Sequence, residues 1–315
     1  MEEIAAGVVC VPVSIANVYF VGRPGEPWAL VDTSVPGKAE IIRKAAERRY
    51  GLAKPEAILL THGHWDHAGS AADLADYWGV PILAHRLELP YLTGRSGYPP
   101  PDVTAPGFLS FASRFFGNRS GGFNLGSRIR AVDGSDLPGM PGWEWFHTPG
   151  HAPGHLTFFR RSDATLLAGD AITTVNLDSL IAILAKTQRV CRPPTTATVD
   201  WKAARESVRL LASLEPFTLA CGHGAPMTGM HATQALTALA REFPIPRHGR
   251  YVNASAMTGE SGIEWLPPSP PDRLPKVAMA IGIAAGAALL ASSRRKPARA
   301  ISEPAFPSRD RVSEP

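Results

Sequence analysis

The sequence predicts a layered α/β protein in which sheets lie inside and helices outside. Two observations lead to this fold class. Short apolar runs rich in β-branched residues alternate with amphipathic segments of helical period along most of the chain. Hydrophobic residues make up 44% of the 315 residues and charged residues 19%, which is the composition of a folded chain and not of a disordered one. The length allows one large domain or two smaller ones.

The first part of the chain mixes strands and helices. Residues 38–50 carry apolar positions at helical spacing and stop before Gly51, which predicts an amphipathic helix with a glycine cap. Ser70 and Asp73 predict a capping box for a second helix, which ends at Gly79. Strands are predicted over residues 8–13, 16–21, 28–32, 57–60 and 81–85.

The second part begins with an irregular segment. Residues 94–142 are rich in Gly, Pro and Ser, with one apolar stretch over 108–116, and a loop of this length is typical of a lid or a binding loop. A helical region is expected up to Lys186, and a further helix capped by Asp200 ends at Pro216. Strands are predicted over residues 143–147, 155–160, 165–168 and 217–221.

Charge and cysteine content narrow the function class. Residues 1–271 hold 24 basic and 24 acidic residues, whereas residues 272–315 hold eight basic and four acidic ones. A neutral globular part argues against a nucleic-acid partner, because such a face needs clustered Lys and Arg. Three scattered cysteines indicate a reducing compartment, and the acidic start Met1-Glu2-Glu3 lacks the features of a secretory signal, so we expect a cytoplasmic protein.

The C-terminal part changes character after the expected globular domain, residues 1–266. Residues 267–276 form a Pro-rich linker, and residues 294–315 a basic tail that we expect to be disordered. Between them, residues 277–293 run without a charge. This apolar segment is a candidate membrane anchor, although it is slightly short for a bilayer and a packed Ala/Gly-rich helix or a low-complexity tail would also fit. Its basic flank would place the preceding domain outside the cytoplasm, which conflicts with the missing signal.

The segment 61–69 carries the strongest chemical signal. His62, His64, Asp66 and His67 fall within six residues, directly after an apolar strand. Imidazole is the commonest protein ligand for zinc, and carboxylate oxygen is the next suitable type where thiolates are absent. The spacing lets His62 and His64 converge on one ion while the other two point toward a second.

Three further candidates lie beside glycines near the ends of apolar runs: His151, Asp170 and His223. Each alone could have a structural role, since Asp170 could cap a helix and His223 could sit in a turn. Together with the first cluster they supply seven ligands, which is what two adjacent ions with an open position need.

These motifs resemble the metallo-β-lactamase superfamily of metal-dependent hydrolases. The signature His-x-His-x-Asp-His is matched by residues 62–67, and a Gly-His-x-x-Gly-His segment, a Gly-Asp and a late Gly-His follow in the family's order, over roughly residues 8–225. Asp32 matches the family's early Asp, which supports the metal loop. The resemblance implies an αβ/βα four-layer sandwich with the site along one sheet edge.

The resemblance also implies the roles of the residues. His62, His64 and His151 would hold one ion, Asp66, His67 and His223 the other, and Asp170 would lie between them. The ions, zinc in the first instance with iron or manganese as alternatives, would supply a bridging hydroxide that Asp66 and Asp170 help to position. His155 is not a ligand in this scheme and would orient the loop of His151 or touch the substrate.

The family does not fix the reaction. Once the RNA-processing, oxygen-reducing and secreted classes of this superfamily are excluded, we expect a hydrolase of the glyoxalase II-like group. Its substrate would be a small ester, thioester or lactone. The alternatives are a mononuclear iron persulfide dioxygenase and a non-catalytic, membrane-tethered scaffold. We expect residues 94–142 and 171–199 to cover the substrate pocket. The oligomeric state stays open. Four aromatic side chains suit either an apolar acyl chain or packing of the loop: Phe108, Phe111, Phe115 and Phe116.

Overall fold

Two β-sheets face each other at the centre of the fold. In the computed structural model, which describes residues 1–116 and 124–272, the first sheet has seven strands in chain order. These are β1 (Glu2–Ala5), β2 (Val8–Val13), β3 (Ala16–Val21), β4 (Ala29–Val31), β5 (Ile58–Leu59), β6 (Ile82–Ala84) and β7 (Ile129–Ala131). Strands β1 to β4 pair antiparallel, and β4 to β7 pair parallel. The parallel half ends its strands at one edge, where the next loops emerge.

The second sheet contains five of the remaining described strands. The strands are β8 (Trp143–His147), β9 (Leu156–Arg160), β10 (Thr165–Gly169), β11 (Thr173–Val175), β12 (Gln188–Cys191), β13 (Thr218–Cys221), β14 (Met227–Thr228), β15 (Met257–Gly259) and β16 (Gly262–Trp265). The sheet order is β14-β13-β10-β9-β8, with β10 and β13 parallel and the other pairs antiparallel. The other four strands form two antiparallel pairs, β11 with β12 and β15 with β16.

Helices cover the outer faces of both sheets. The α-helices of the described residues are α1 (Ala39–Tyr50), α2 (Trp65–Ala68), α3 (Ala71–Trp78), α4 (Leu89–Leu92), α5 (Phe108–Phe116), α6 (Leu180–Leu184), α7 (Trp201–Ser213) and α8 (Met230–Glu242). Buried residues of α1 and α3 share a core cluster with the first sheet, and those of α7 and α8 share one with the second. The predicted αβ/βα sandwich is confirmed.

Side-chain alternation along β2 shows how the layers are held. Val9 and Val11 share the outer cluster with Ile42 of α1. Val8 and Cys10 belong instead to the cluster between the sheets, to which β9 and β10 also contribute. Because neighbouring residues of a strand point to opposite faces, one strand with apolar residues on both faces joins two cores.

Three local expectations change. The region expected to be helical up to Lys186 holds the β11–β12 pair around the short α6, because β-branched residues after Asp170 favour an extended chain. Ser70 does not form a capping box: its Oγ accepts from the Lys38 backbone N at 2.9 Å and donates to the Val35 carbonyl at 2.7 Å. The segment 94–142 contains α5 and β7, so it is less irregular than predicted.

The predicted helix over 38–50 is confirmed as α1, and Gly51 follows it with φ of 63°. Residues Met1–Pro270 form one compact unit. Residues 273–276 of the predicted linker, the apolar segment 277–293 and the tail 294–315 lie outside the described residues. Among the residues that the structure describes, no helix has both the length and the apolar character needed to cross a membrane.

Candidate metal centre

The candidate ligands come from loops that follow strands of both sheets. His62 lies just after β5, and residues 65–68 form α2, while Asp170 and His223 follow β10 and β13. His151 lies in the loop that joins β8 to β9. Backbone hydrogen bonds fasten these loops together, including Leu156 N to Thr61 O at 2.7 Å. The two sheets therefore bring all of these loops to one edge.

The first group consists of three imidazoles. The Nδ1 atom of His64 lies 2.9 Å from Nε2 of His151, which lies 3.2 Å from Nε2 of His62. Two nitrogen ligands of a tetrahedral zinc ion lie about 3.3 Å apart, given a Zn–N distance of about 2.0–2.1 Å. Three ring nitrogens at this spacing suit one ion of that kind.

The second group consists of Asp66, His67 and His223, each with one ligand atom within 4.8 Å of the others. Asp170 lies between the two groups. Its Oδ2 atom is 3.2 Å from His223 Nε2 and 3.5 Å from His67 Nε2, and 3.6 Å from His151 Nε2 on the other side. The structure thus brings together all seven residues that the sequence suggested.

Unpaired buried atoms test whether a metal fits. Within the described residues, His67 Nε2 and Asp170 Oδ1 are buried and have no hydrogen-bond partner. A buried polar atom without a partner is costly, so such atoms at the centre of an imidazole and carboxylate cluster indicate that a further group belongs there. The donor set suits divalent ions such as zinc.

The pKa values of the first group agree with that use. Burial, with the neighbouring imidazoles, holds the pKa of His62 and His151 well below the ordinary value. Burial also lowers the pKa of His64 to about 4. Neutral imidazoles offer the lone pairs that a metal needs. In the second group burial opposes protonation, but the carboxylates outweigh it and raise the pKa of His67 well above its ordinary value and that of His223 to about 10, so both imidazoles lose a proton when an ion binds. Burial raises the pKa of Asp170, but the adjacent His223 and His67 outweigh it and keep the pKa low, so the carboxylate is ionised.

Asp32 and His155 contact the cluster from behind. Asp32 Oδ2 lies 2.8 Å from His67 Nδ1, and its Oδ1 accepts from the Thr61 backbone N at 2.8 Å. His155 Nε2 accepts from the Asp170 backbone N at 2.9 Å, and its Nδ1 lies 2.8 Å from Thr148 Oγ1. Both ring nitrogens of His155 are thus used within the fold, so it positions Asp170 and belongs to neither metal-ligand group.

Sequence reasoning missed Glu88 and Tyr98. Glu88 is fully buried, and its carboxylate accepts from the backbone N of Gly63 at 2.8 Å and of Gly154 at 2.6 Å. Tyr98 Oη also accepts from Gly63 N at 2.8 Å, and its ring lies 4.7 Å from that of His64. Glu88 therefore joins the loop of His62 and His64 to the loop of His151. A lone Glu in a helical stretch carries no signal for such a role.

A cavity of about 910 Å³ opens beside the cluster. Five of the seven candidate ligands line it, and parts of both segments expected to cover the pocket contribute to it. Of the aromatic residues singled out, Phe108 lines the cavity, whereas Phe111 and Phe115 are 46% and 73% exposed and lie outside its lining. The side chain of Phe116 lies outside the described residues.

Comparison with known proteins identifies the family. A model of the metallo-beta-lactamase superfamily matches residues 11–223. The chain belongs to this superfamily. A probable metallo-hydrolase of Bacillus subtilis, YflN, is 41% identical over 245 residues, which cover 76% of this chain and 91% of that protein. The hydroxyacylglutathione hydrolase GloC of Haemophilus influenzae is 30% identical over 152 residues, 46% of this chain and 60% of its own length.

Solved structures of the superfamily agree on the fold. The BLEG-1 B3 metallo-beta-lactamase superposes with a TM-score of 0.52 at 24% identity, covering 70% of this chain and 93% of that one. The family protein TTHA1429 of Thermus thermophilus superposes with a TM-score of 0.53 at 21% identity, covering 76% and 80%. Superfamily membership and the His/Asp cluster together imply a metallo-hydrolase that uses divalent ions.

Proposed function

We propose that this chain is a binuclear hydrolase, with zinc as its metal, that cleaves a thioester or a lactone. The observation that carries the proposal is the complete second group, Asp66, His67 and His223, beside the three imidazoles. A site for a single ion would not need it. We assign the hydrolase domain to residues 1–266.

In this proposal His62, His64 and His151 would hold one ion, the second group would hold the other, and Asp170 would serve both. When bound, the two ions supply Lewis acidity, which polarises the scissile carbonyl and makes water nucleophilic at neutral pH. The chain needs no nucleophile of its own.

The protein residues orient the reactants. Asp66 and Asp170, both ionised, accept hydrogen bonds from the attacking water and direct its lone pair toward the carbonyl. His67 keeps its orientation through Asp32, and His223 through its Nδ1 atom, which donates to the Ile15 carbonyl at 2.7 Å. His155 holds the Asp170 backbone from the side away from the substrate.

The ester-type substrate rests on similarity. GloC carries the name of a thioester hydrolase and is 30% identical over 152 residues. A thioester has a thiolate leaving group, and a lactone holds its ester bond in a strained ring, so the carbonyl of either is open to attack by an activated water. The choice between them needs an assay.

Metal content tests the proposal. The full chain, purified without chelator or added metal and with air excluded, should carry two zinc ions by mass spectrometry and should hydrolyse members of a thioester and lactone panel. His64→Ala and Asp170→Asn should both lose metal and activity, while His231→Ala, an exposed histidine on α8, should lose neither.

Two results would contradict the proposal. Full occupancy in both His64→Ala and Asp170→Asn would show that these residues are not ligands. A single iron per wild-type chain, with oxygen uptake in the presence of a persulfide, would replace the hydrolase with the dioxygenase chemistry that uses a mononuclear site.

A further inference from the structure

Two chemically distinct sets of residues line the cavity beside the metal centre. The first set consists of the candidate ligands His64, Asp66, His151, Asp170 and His223. The second set, the apolar wall, comes from the loop after β2, from α5 and from the region of α6, and its larger side chains are Ile15, Phe108, Leu109, Leu177 and Ile183.

The apolar wall of the cavity is accessible to a ligand. Phe108, Leu109, Leu177 and Ile183 are each only partly buried, so apolar surface faces the open space and not the core. Sites of about 300–1,000 Å³ with mostly apolar walls and a few polar groups at one end are typical of small-molecule binding. The volume therefore admits a substrate considerably larger than the reacting ester group.

Charges are scarce along this wall. Among the described residues that line the cavity, Glu2 and Lys186 carry the charged side chains outside the His/Asp cluster, and both are exposed. A glutathione thioester carries two carboxylates and an ammonium group, and burying charges without partners is costly. One exposed lysine cannot pair with two carboxylates, so this wall does not suit such a substrate.

We infer that the substrate carries an uncharged aliphatic acyl or alkyl chain, which lies along α5 and α6 while its ester-type carbonyl reaches the metal centre. This inference rests on the proposed hydrolase function and names the substrate class. Each methylene that the chain buries in the cavity should strengthen binding about fourfold.

Kinetics of the zinc-loaded full chain test the substrate class. For lactones or acyl thioesters of increasing chain length, kcat/KM should rise about fourfold per methylene until the cavity is filled. A hydroxyacyl thioester of glutathione should be a poorer substrate than a neutral thioester of the same acyl length. A flat response to chain length, together with preference for the glutathione thioester, would overturn the inference and leave the hydrolase intact.

A binding measurement separates the two proposals. Calorimetric titration with straight-chain alcohols from 1-butanol to 1-octanol requires no turnover, and affinity should rise about 250-fold across the four added methylenes. Ile183→Asp should abolish this increase. Ile181→Asp is the matched control, since Ile181 lies on the same helix but is 80% exposed and outside the cavity lining.

The outcomes are distinct. Alcohol binding that grows with chain length, without hydrolysis of any ester, would refute the hydrolase while leaving the apolar ligand site. Absence of any chain-length dependence in alcohol binding would refute the ligand site. An equal loss in Ile183→Asp and Ile181→Asp would place the alcohols elsewhere and would also refute it.

Discussion

Replacing Glu88 tests whether a buried carboxylate holds the metal loops together. Glu88→Ala removes the acceptor for two backbone N–H groups, Gly63 and Gly154. Gly63 N keeps Tyr98 Oη as a hydrogen-bond acceptor at 2.8 Å, but within the described residues Gly154 N has no acceptor besides Glu88. An unsatisfied buried N–H costs about 1–3 kcal/mol, and the emptied volume adds to it. We therefore expect Glu88→Ala to lose about 3 kcal/mol of unfolding free energy.

The same change should weaken metal binding. Gly63 lies between His62 and His64, and Gly154 lies three residues after His151, so Glu88 fixes the distance between the loops of the first metal group. Groups that orient metal ligands typically contribute about 10–100-fold in metal affinity. Competition with a chelator should show a loss of that size in Glu88→Ala. Glu144→Ala, which removes an exposed ion pair with Arg161, is the control and should change neither quantity appreciably.

The Glu88→Gln variant tests how Glu88 makes the stability of the fold depend on pH. Burial raises the pKa of Glu88 to about 7, against two backbone hydrogen bonds that lower it. Because this pKa lies above the ordinary value of 4.5, the folded protein holds a proton that the unfolded chain releases, so stability is lost as the pH rises from 4.5 to about 7. The difference between these two pKa values corresponds to about 3 kcal/mol of unfolding free energy.

Urea unfolding of metal-free wild type and Glu88→Gln at several pH values measures this effect. The variant cannot ionise, so its stability relative to wild type should improve by up to about 3 kcal/mol between pH 5 and pH 8. Other groups titrate alike in both proteins and cancel in the difference. A difference that does not change with pH would show that Glu88 ionises normally and would refute this account of its environment.

Two further substitutions probe the contacts around the second metal group. Asp32→Asn places an amide N–H₂ where a carboxylate oxygen accepts from His67, so chelator competition should show about 10–100-fold weaker metal binding. The fold should be retained, because Asn tolerates the φ of 60° at this position. An unchanged metal affinity would exclude the orienting role of Asp32. Gly222→Ala would bring a Cβ to 2.2 Å from Asp170 Oδ1 and 2.5 Å from His67 Cε1. It should therefore lower the free energy of unfolding by about 1–3 kcal/mol and reduce the metal content. Gly97→Ala is the control and should change neither quantity, since its Cβ would meet nothing within 4 Å. Equal melting temperatures and metal content for the two glycine variants would contradict this expectation.

Parts of the fold and of the metal-ligand cluster could be predicted from the sequence, for physical reasons. The apolar, β-branched runs of β2 and β3 and the helical period of α1 follow local chemistry, so the predicted strands and helix are found in the structure. The four residues of the His-x-His-x-Asp-His segment must lie near each other, because only a few bonds separate them. That His151, Asp170 and His223 meet them could not follow from spacing, and required the family's known order.

Long-range contacts mark the limit of sequence reasoning. Glu88 looks like a surface residue, and its burial depends on donors 25 and 66 residues away. Phe108, Phe111 and Phe115 share one helical stretch, and only packing decides that the first faces the cavity while the other two face solvent. Composition alone could not assign that orientation.

Chemistry and specificity occupy different parts of this fold. The metal cluster stands on loops that follow buried strands and is held by hydrogen bonds that Asp32, Glu88 and His155 accept, all three being almost fully buried. Part of the cavity wall stands on α5 and α6, whose cavity-lining residues are only partly buried and contribute to neither outer core cluster. Substitutions along these two helices should therefore alter which acyl group is accepted without disturbing the ions, so that substrate preference can change while the hydrolytic centre stays constant.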